Sequence, residues 1–173
     1  MKIELIRGDI TELKVDAIVN AANSTLLGGG GVDGRIHHVA GPQLREECMK
    51  IGGCPTGEAR ITPAFNLPSK YVIHTVGPVW KGGNQGEGEL LRAAYRSTLN
   101  LAAIHRIKTI AFPNIGTGIY RFPKEMAGLI AVQAVRSFET KSKLQTIYFV
   151  CFEDDNFRIY EELLSSVKKR QFF

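Results

Sequence analysis

Five short, β-branched apolar runs constrain the fold of this chain more than any other feature: KIELI (2–6), DAIVNAA (16–22), YVIHTV (71–76), TIAFP (109–113) and TIYFVCF (146–152). Each is apolar through most of its length, not on alternate residues. Strands of that kind are covered on both faces, as in largely parallel sheets flanked by helices. RITPAF (60–65) is a weaker sixth candidate. Helical patterns lie between the runs. Residues 87–105 place Leu90, Leu91, Ala94, Tyr95, Thr98, Leu101 and Ala102 on one stripe. Residues 123–138 open with Pro123 in the expected first turn and put Met126, Ile130, Ala134 and Phe138 on one face. Residues 153–168 open with EDDN, good capping chemistry, and carry Ile159, Leu163 and Val167 at spacing four. Strands alternating with helices predict an α/β sandwich around a largely parallel sheet. The N-terminal strand and the stretch 60–76 leave room for some antiparallel pairing.

The chain has 173 residues, which fits one domain, 1–173, and is 44% apolar, which excludes a disordered chain. No apolar run approaches a membrane span, and MKIELIRGD is no signal peptide, so the expected setting is cytoplasmic. Cys48, Cys54 and Cys151 form neither a disulfide framework nor a CxxC pair, and the adjacent His37 and His38 would point apart on a helix. The expectation is therefore no metal and no cofactor. The net charge of +5 owes part of its excess to Lys168, Lys169 and Arg170, in a tail at 168–173 expected to fray. The excess favours an anionic ligand and, more weakly, RNA.

Ligands of open α/β sheets bind at the carboxyl ends of the strands. Two glycine-rich loops are expected there. NAANSTLLGGGGVDG (20–34) follows DAIVNAA, and NIGTGIYRF (114–122) follows TIAFP and leads toward a helix near Pro123. Glycine lets backbone N–H groups approach a ligand closely and form an anion-binding nest, and a helix N-terminus favours negative charge. Two such loops at one crevice predict a phosphate or diphosphate clamp. The Walker pattern is absent. GGGVDG (29–34) satisfies GxGxxG through Gly29, Gly31 and Gly34, but begins several residues past its strand and lacks the acidic strand end of a dinucleotide fold. Beside the clamp, Asn20 and Asn23 suit sugar hydroxyls. A diphosphate near Asp33 would raise its pKa toward that of a general base holding a water. A helix N-cap before RIHHVA is a second, compatible role for Asp33.

In order along the chain stand RGDIT (7–11), VDAIVNAAN (15–23), GGGGVDGRIH (28–37), AGP (40–42), CPTGEA (54–59), VIHTVGPVW (72–80), FPNIGTGIY (112–120) and FVCF (149–152). On these motifs the chain resembles the macro domain family, in particular its MacroD-type ADP-ribose hydrolases and O-acetyl-ADP-ribose deacetylases. The resemblance implies a three-layer α/β/α sandwich with a mixed, mostly parallel six-stranded central sheet. It also implies a metal-independent hydrolase that removes ADP-ribose from acidic side chains of modified proteins, deacetylates O-acetyl-ADP-ribose, or both. Asp9 and Ile10 would recognise adenine, and Phe152 would pack on it. Asn20 and Asn23 would meet the distal ribose. Gly29, Gly30, Gly31 and Val32 would wrap the diphosphate together with Gly116, Thr117, Gly118, Ile119 and Tyr120. Asn23 and Asp33 would be catalytic. Gly116 stands where many relatives carry serine, and Arg121 where glycine is common.

The partners implied are ADP-ribose or O-acetyl-ADP-ribose, an ADP-ribosylated protein and, weakly, RNA, with no membrane. Two other functions remain: a reader that binds ADP-ribose without turnover, and an RNA-binding or RNA-processing regulator. Single residues also have plainer readings. Asp9 suits a turn or cap, Phe152 core, and His74 and His37 structure. Cys151 is expected to be buried with no base beside it. Trp80 would cover or anchor a loop, and the stretch 82–88 would be mobile and shape access.

Overall fold

The computed structural model describes residues 1–138 and 142–170, with the side chains of 167–170 excluded. Of the tail expected to fray at 168–173, residues 168–170 continue the last helix and 171–173 lie outside what is described. Six strands, β1 (Lys2–Arg7), β2 (Ala17–Ala21), β3 (Ala59–Pro63), β4 (Tyr71–Thr75), β5 (Thr109–Phe112) and β6 (Thr146–Cys151), form one sheet in the order β1-β6-β5-β2-β4-β3. Every run read as a strand is one, including the weak candidate at 60–65. Only β3 is antiparallel to its neighbour. The N-terminal strand, for which antiparallel pairing was open, runs parallel to β6.

Five helices among the described residues cover both faces, which is why the strands are apolar throughout. Helices α1 (Gly31–Ala40) and α2 (Pro42–Ile51) pack on one face through Ile36, Ala40, Leu44 and Cys48. Helices α3 (Glu87–Ile104), α4 (Lys124–Arg136) and α5 (Asp154–Arg170) pack on the other through Leu91, Tyr95, Leu99, Ala131, Val135 and Tyr160. The layers are those of a three-layer sandwich. Two of the expected stripes hold in part. On α3 Leu91, Ala94, Tyr95, Thr98 and Ala102 are buried as expected, with Leu99 added and Leu90 exposed, and on α4 Ile130 and Ala134 are buried as expected, with Ala127, Ala131 and Val135 added and Met126 exposed. Small residues let α4 lie close to α5: a Cβ on Gly128 would come within 3.1 Å of both Ile159 and Leu163.

Helix α2 was not among the expected elements. PQLREECMKI buries only Leu44 and Cys48, so its apolar stripe is thin. Its boundaries carry the stronger signal: Pro42 at the first turn and Gly52 in the left-handed conformation that ends a helix.

The strand origins are tied together by Asp16. Its carboxylate accepts from the Lys108 and Thr109 N–H groups at 2.8 and 3.2 Å and faces Lys70 Nζ at 3.2 Å. Its carbonyl accepts from the Lys70 and Tyr71 N–H groups. One residue thus joins the starts of β2, β4 and β5. Partial burial pushes the carboxyl up, but the hydrogen bonds outweigh it and hold it below the usual range. A depressed folded-state pKa stabilises the fold above the unfolded value, and that contribution fades as pH falls through the folded one. Asp16→Ala is expected to lose about 1–3 kcal/mol near neutral pH. The deficit should shrink in acid, as pH falls through the lowered folded-state pKa and the wild-type carboxylate is itself protonated. Urea unfolding of both proteins near neutral pH and in acid checks this.

Candidate ligand-binding and active site

Strands β2 and β5 pair only at Ala17↔Ile110 and Ile18↔Ala111, then part. Their connections leave on opposite faces, to α1 from β2 and to α4 from β5. A cleft of about 840 Å³ opens at this switch point. Both glycine loops line it. Ile119, 79% exposed, reaches across so that a Cβ on Gly30 would touch its Cδ1 at 3.7 Å.

The first loop ends in a helix earlier than expected. Helix α1 begins inside the glycine run at Gly31, capped by Gly30 with no side-chain bond. Gly31, Val32 and Asp33 of its first turn line the cleft. Asp33 sits in the third helical position and is not the N-cap, which corrects that reading. The helix behind the second loop was expected to help hold an anion, but neither Pro123 nor Lys124 lines the cleft. The helix N-terminus that does reach the cleft is that of α1. Gly34 must be glycine, since a Cβ there would lie 2.4 Å from the Gly29 carbonyl oxygen.

The second loop is braced from β4. Trp80 donates its N–H to the Tyr120 carbonyl at 2.8 Å and packs on Phe122 at 4.8 Å between ring centroids. Trp80 thus anchors this loop. The segment 82–88, expected to be mobile, is held by Glu87, whose carboxylate accepts from the N–H groups of Lys81, Gly83 and Gln85 at 2.6–3.0 Å. Burial acts to raise the Glu87 carboxyl, but these bonds pull it down to about 2. Gly116 has φ +82°, which suits glycine. Arg121, at φ +60°, is exposed and does not line the cleft.

At the far end of the cleft Gly8 donates to the Cys151 carbonyl at 3.1 Å, which places Asp9 beside Phe152. Phe152 is 76% exposed, so the core reading is replaced by an open aromatic platform. Asp9 does cap a short 3-10 turn, Ile10–Glu12, accepting from the Thr11 N–H and hydroxyl at 2.9 and 2.6 Å. Its Oδ2 accepts from Arg35 Nε at 3.1 Å. Burial pushes Asp9 up, but these partners leave it below the ordinary range, so it is a ready acceptor. Ile10 lines the same end. Arg35 and Asn156 also line the cleft and were missed. A helical projection from Asp33 would have exposed Arg35 on the opposite side of α1 from the buried carboxylate. Asn156 lay unmarked among capping residues.

At the other end Asn23 Nδ2 donates to the Gly28 carbonyl at 2.9 Å, while its Oδ1 accepts from the Thr25 N–H and hydroxyl. Asp33 lies alongside. A Cβ on Gly29 would sit 3.2 Å from Asp33 Oδ2 and 3.3 Å from Asn23 Nδ2, so the missing side chain leaves room there. Asp33 Oδ1 accepts from Asn20 Nδ2 at 2.8 Å. His37 Nε2 is 3.5 Å from Oδ1 but makes no hydrogen bond. Burial pushes Asp33 up, against the Asn20 bond and the field of His37. The upward shift anticipated from a diphosphate is thus already present. Burial also lowers His37. Cys151 is buried and its thiol is pushed up by that burial.

Asn20 is the exception among the expected contacts. It is fully buried and does not line the cleft. It belongs to β2, opposite His74 in the sheet, and its side chain turns beneath the floor toward Asp33. All the other site residues singled out from the sequence surround the one cleft. No cluster of three His, Cys, Asp or Glu side chains suited to a metal occurs among the described residues, and no described helix is long and apolar enough to cross a membrane.

A sequence profile of the Macro domain family matches residues 19–131. The chain belongs to the Macro domain family. A protein of Escherichia fergusonii named O-acetyl-ADP-ribose deacetylase is 54% identical over 169 residues, covering 95% of this chain and 96% of that protein. The structure of the Oceanobacillus iheyensis macrodomain with ADP superposes with a TM-score of 0.92 at 40% identity, covering 97% of this chain and 92% of that one. The Trypanosoma brucei macrodomain in complex with ADP-ribose gives 0.89 at 46% identity, covering 94% of this chain and 68% of that one.

The macro domain's room at Gly29 yields a test. Gly29→Val is expected to lower the melting temperature, because its side chain crowds Asp33 Oδ2 and Asn23 Nδ2, and to bind ADP-ribose at least about 10-fold more weakly, as overpacking by 1–3 kcal/mol predicts. Calorimetric titration checks this.

Proposed function

We propose that the protein binds ADP-ribose along this cleft and hydrolyses an ester at the distal ribose. The substrate is O-acetyl-ADP-ribose, the ADP-ribosyl ester of an acidic side chain, or both. The observation that carries the reading is Asp33: Oδ1 is tied to Asn20, while Oδ2 lies beside Asn23 and the space at Gly29. A module that only binds needs no carboxylate held in this way. The names and ligands of the similar macrodomains supply independent support.

In this reading adenine lies on Phe152 and donates its amino group to Asp9. The diphosphate lies between Gly29–Val32 and Gly116–Tyr120, held by backbone N–H groups and the α1 N-terminus. That fixes the distal ribose beside Asn23 and Asp33. Asp33 Oδ2 orients a water and takes its proton as the water attacks. Asn20 acts from behind, holding Asp33. Neither metal nor cofactor is invoked.

Incubation with O-acetyl-ADP-ribose and with an ADP-ribosylated glutamate peptide tests the proposal. Product from either supports a hydrolase, whereas binding without product would leave a reader. RNA binding that ADP-ribose fails to displace would favour the RNA reading. In oxygen-18 water, label in ADP-ribose marks attack at the anomeric carbon, and label in the released acid marks attack at the ester carbonyl.

Asp33→Ala is expected to abolish turnover while retaining most of the affinity. The acid limb of the wild-type kcat profile should lie above the ordinary carboxylate value of about 3.9, because the base works only when ionised. Asp9→Ala should weaken ADP-ribose binding by about 1.5–3 kcal/mol, the range for a hydrogen bond to a charged group, read by calorimetry.

A further inference from the structure

Behind Asp33 runs a line of polar side chains hidden from the cleft. Thr62 on β3, His74 on β4 and Asn20 on β2 are each at most 2% exposed. Asn20 and His74 are register partners, and Thr62 reaches His74 diagonally from the next strand. His74 Nε2 lies 2.9 Å from Thr62 Oγ1, and His74 Nδ1 lies 3.1 Å from Asn20 Nδ2. The same Asn20 nitrogen donates to Asp33 Oδ1. Four elements thus meet through three consecutive contacts.

The carboxylate sets the direction of this line. Ionised, Asp33 only accepts, so Asn20 must present its NH2 group. That group also faces His74 Nδ1, which must then be the unprotonated nitrogen. The ring proton sits on Nε2 and is donated to Thr62 Oγ1. Burial keeps the ring neutral, with its pKa pushed down to about 3. Asn20 Oδ1 is buried with no partner among the described residues, so nothing on the oxygen side orients the amide. Its orientation rests on what its nitrogen meets, Asp33 and His74.

We propose that His74 is a positioning residue: by accepting from Asn20 it locks the amide that ties down Asp33 Oδ1 and leaves Oδ2 facing the cleft. The inference rests on the hydrolytic reading, in which Asp33 orients the water. Without an acceptor at position 74 one Asn20 N–H is left unpaired in the core, and the amide is free to turn. Turned, it sets an oxygen against Asp33 and favours the protonated, inactive carboxyl. The titratable groups around Asp33 are His37 on α1, Cys48 on α2 and, through Asn20, His74 on β4. Burial raises the Cys48 thiol to about 11, so it stays uncharged, and burial lowers His37. Asn20 is the side chain that bonds Asp33 directly.

The test compares His74→Leu with His74→Asn, whose side-chain oxygen occupies the place of Nδ1, in steady-state kinetics with O-acetyl-ADP-ribose. For His74→Leu, kcat should fall about 10–100-fold, as when the support of a reacting group is removed, and His74→Asn should recover it to within about 3-fold. ADP-ribose affinity should not change, and the acid limb of kcat should move to higher pH in His74→Leu. Equal losses in both variants, an unchanged kcat, or a parallel loss of binding would overturn the proposal. Thr62→Val, which keeps shape but removes the nearer acceptor of the ring proton and leaves Cys48 Sγ at 3.8 Å, should lower kcat in the same direction; an unaltered kcat there counts against it should His74→Leu fail to fold. If the wild-type protein turns over neither substrate, the hydrolytic reading fails on its own. Carbon-13 NMR titration of the Asp33 carboxyl then decides the positioning: a higher midpoint in His74→Leu upholds it, and the same midpoint refutes it.

Discussion

The hydrogen bond from the Asn20 amide to the Asp33 carboxylate is the contact on which the rest of the site depends. A carboxylate withdrawn from water is costly unless its oxygens are bonded. Here one oxygen is bonded from the sheet beneath, and the first turn of α1 adds its favourable dipole. The other oxygen is left beside the cleft. Glycines at 29 and 34 follow from this placement, because a Cβ at either would strike the carboxylate, the Asn23 amide or the loop's own carbonyl.

The sheet order brings the two loops together. Strands β2 and β5 are distant in sequence but adjacent in the sheet, and their helices cover opposite faces. The chain therefore divides at their carboxyl ends, and the loops face one another across the division. Side contacts hold each loop in place: Trp80 for the second, and Glu87 for the segment behind Trp80.

Much of this was legible in the sequence, for a physical reason. Strands covered on both faces are apolar throughout, and YVIHTV and TIYFVCF show it directly. Ordered motifs from RGDIT to FVCF placed Asp9, the glycine loops and Phe152. What stayed hidden depended on which way a side chain turns. Asn20 and Asn23 look alike in VNAAN, yet β2 ends between them at Ala21. The strand's alternation sends Asn20 to the same buried face as Ile18, while Asn23 folds back in the loop. Helix α2 escaped notice because two buried residues make too thin a stripe. The wider buried face of α4 includes small residues such as Ala127, Gly128 and Ala131, with Gly128 packed on α5, which hydrophobic periodicity does not register.

Among the described residues, strand β1 has only β6 as a partner. During synthesis β1 must therefore wait, unpaired, until residues 146–151 have emerged. Asp9 and Phe152 meet only when that last pairing closes. A nascent chain would hold the glycine run and its carboxylate long before the Asp9–Phe152 end of the cleft exists, so the complete cleft is a late product of folding.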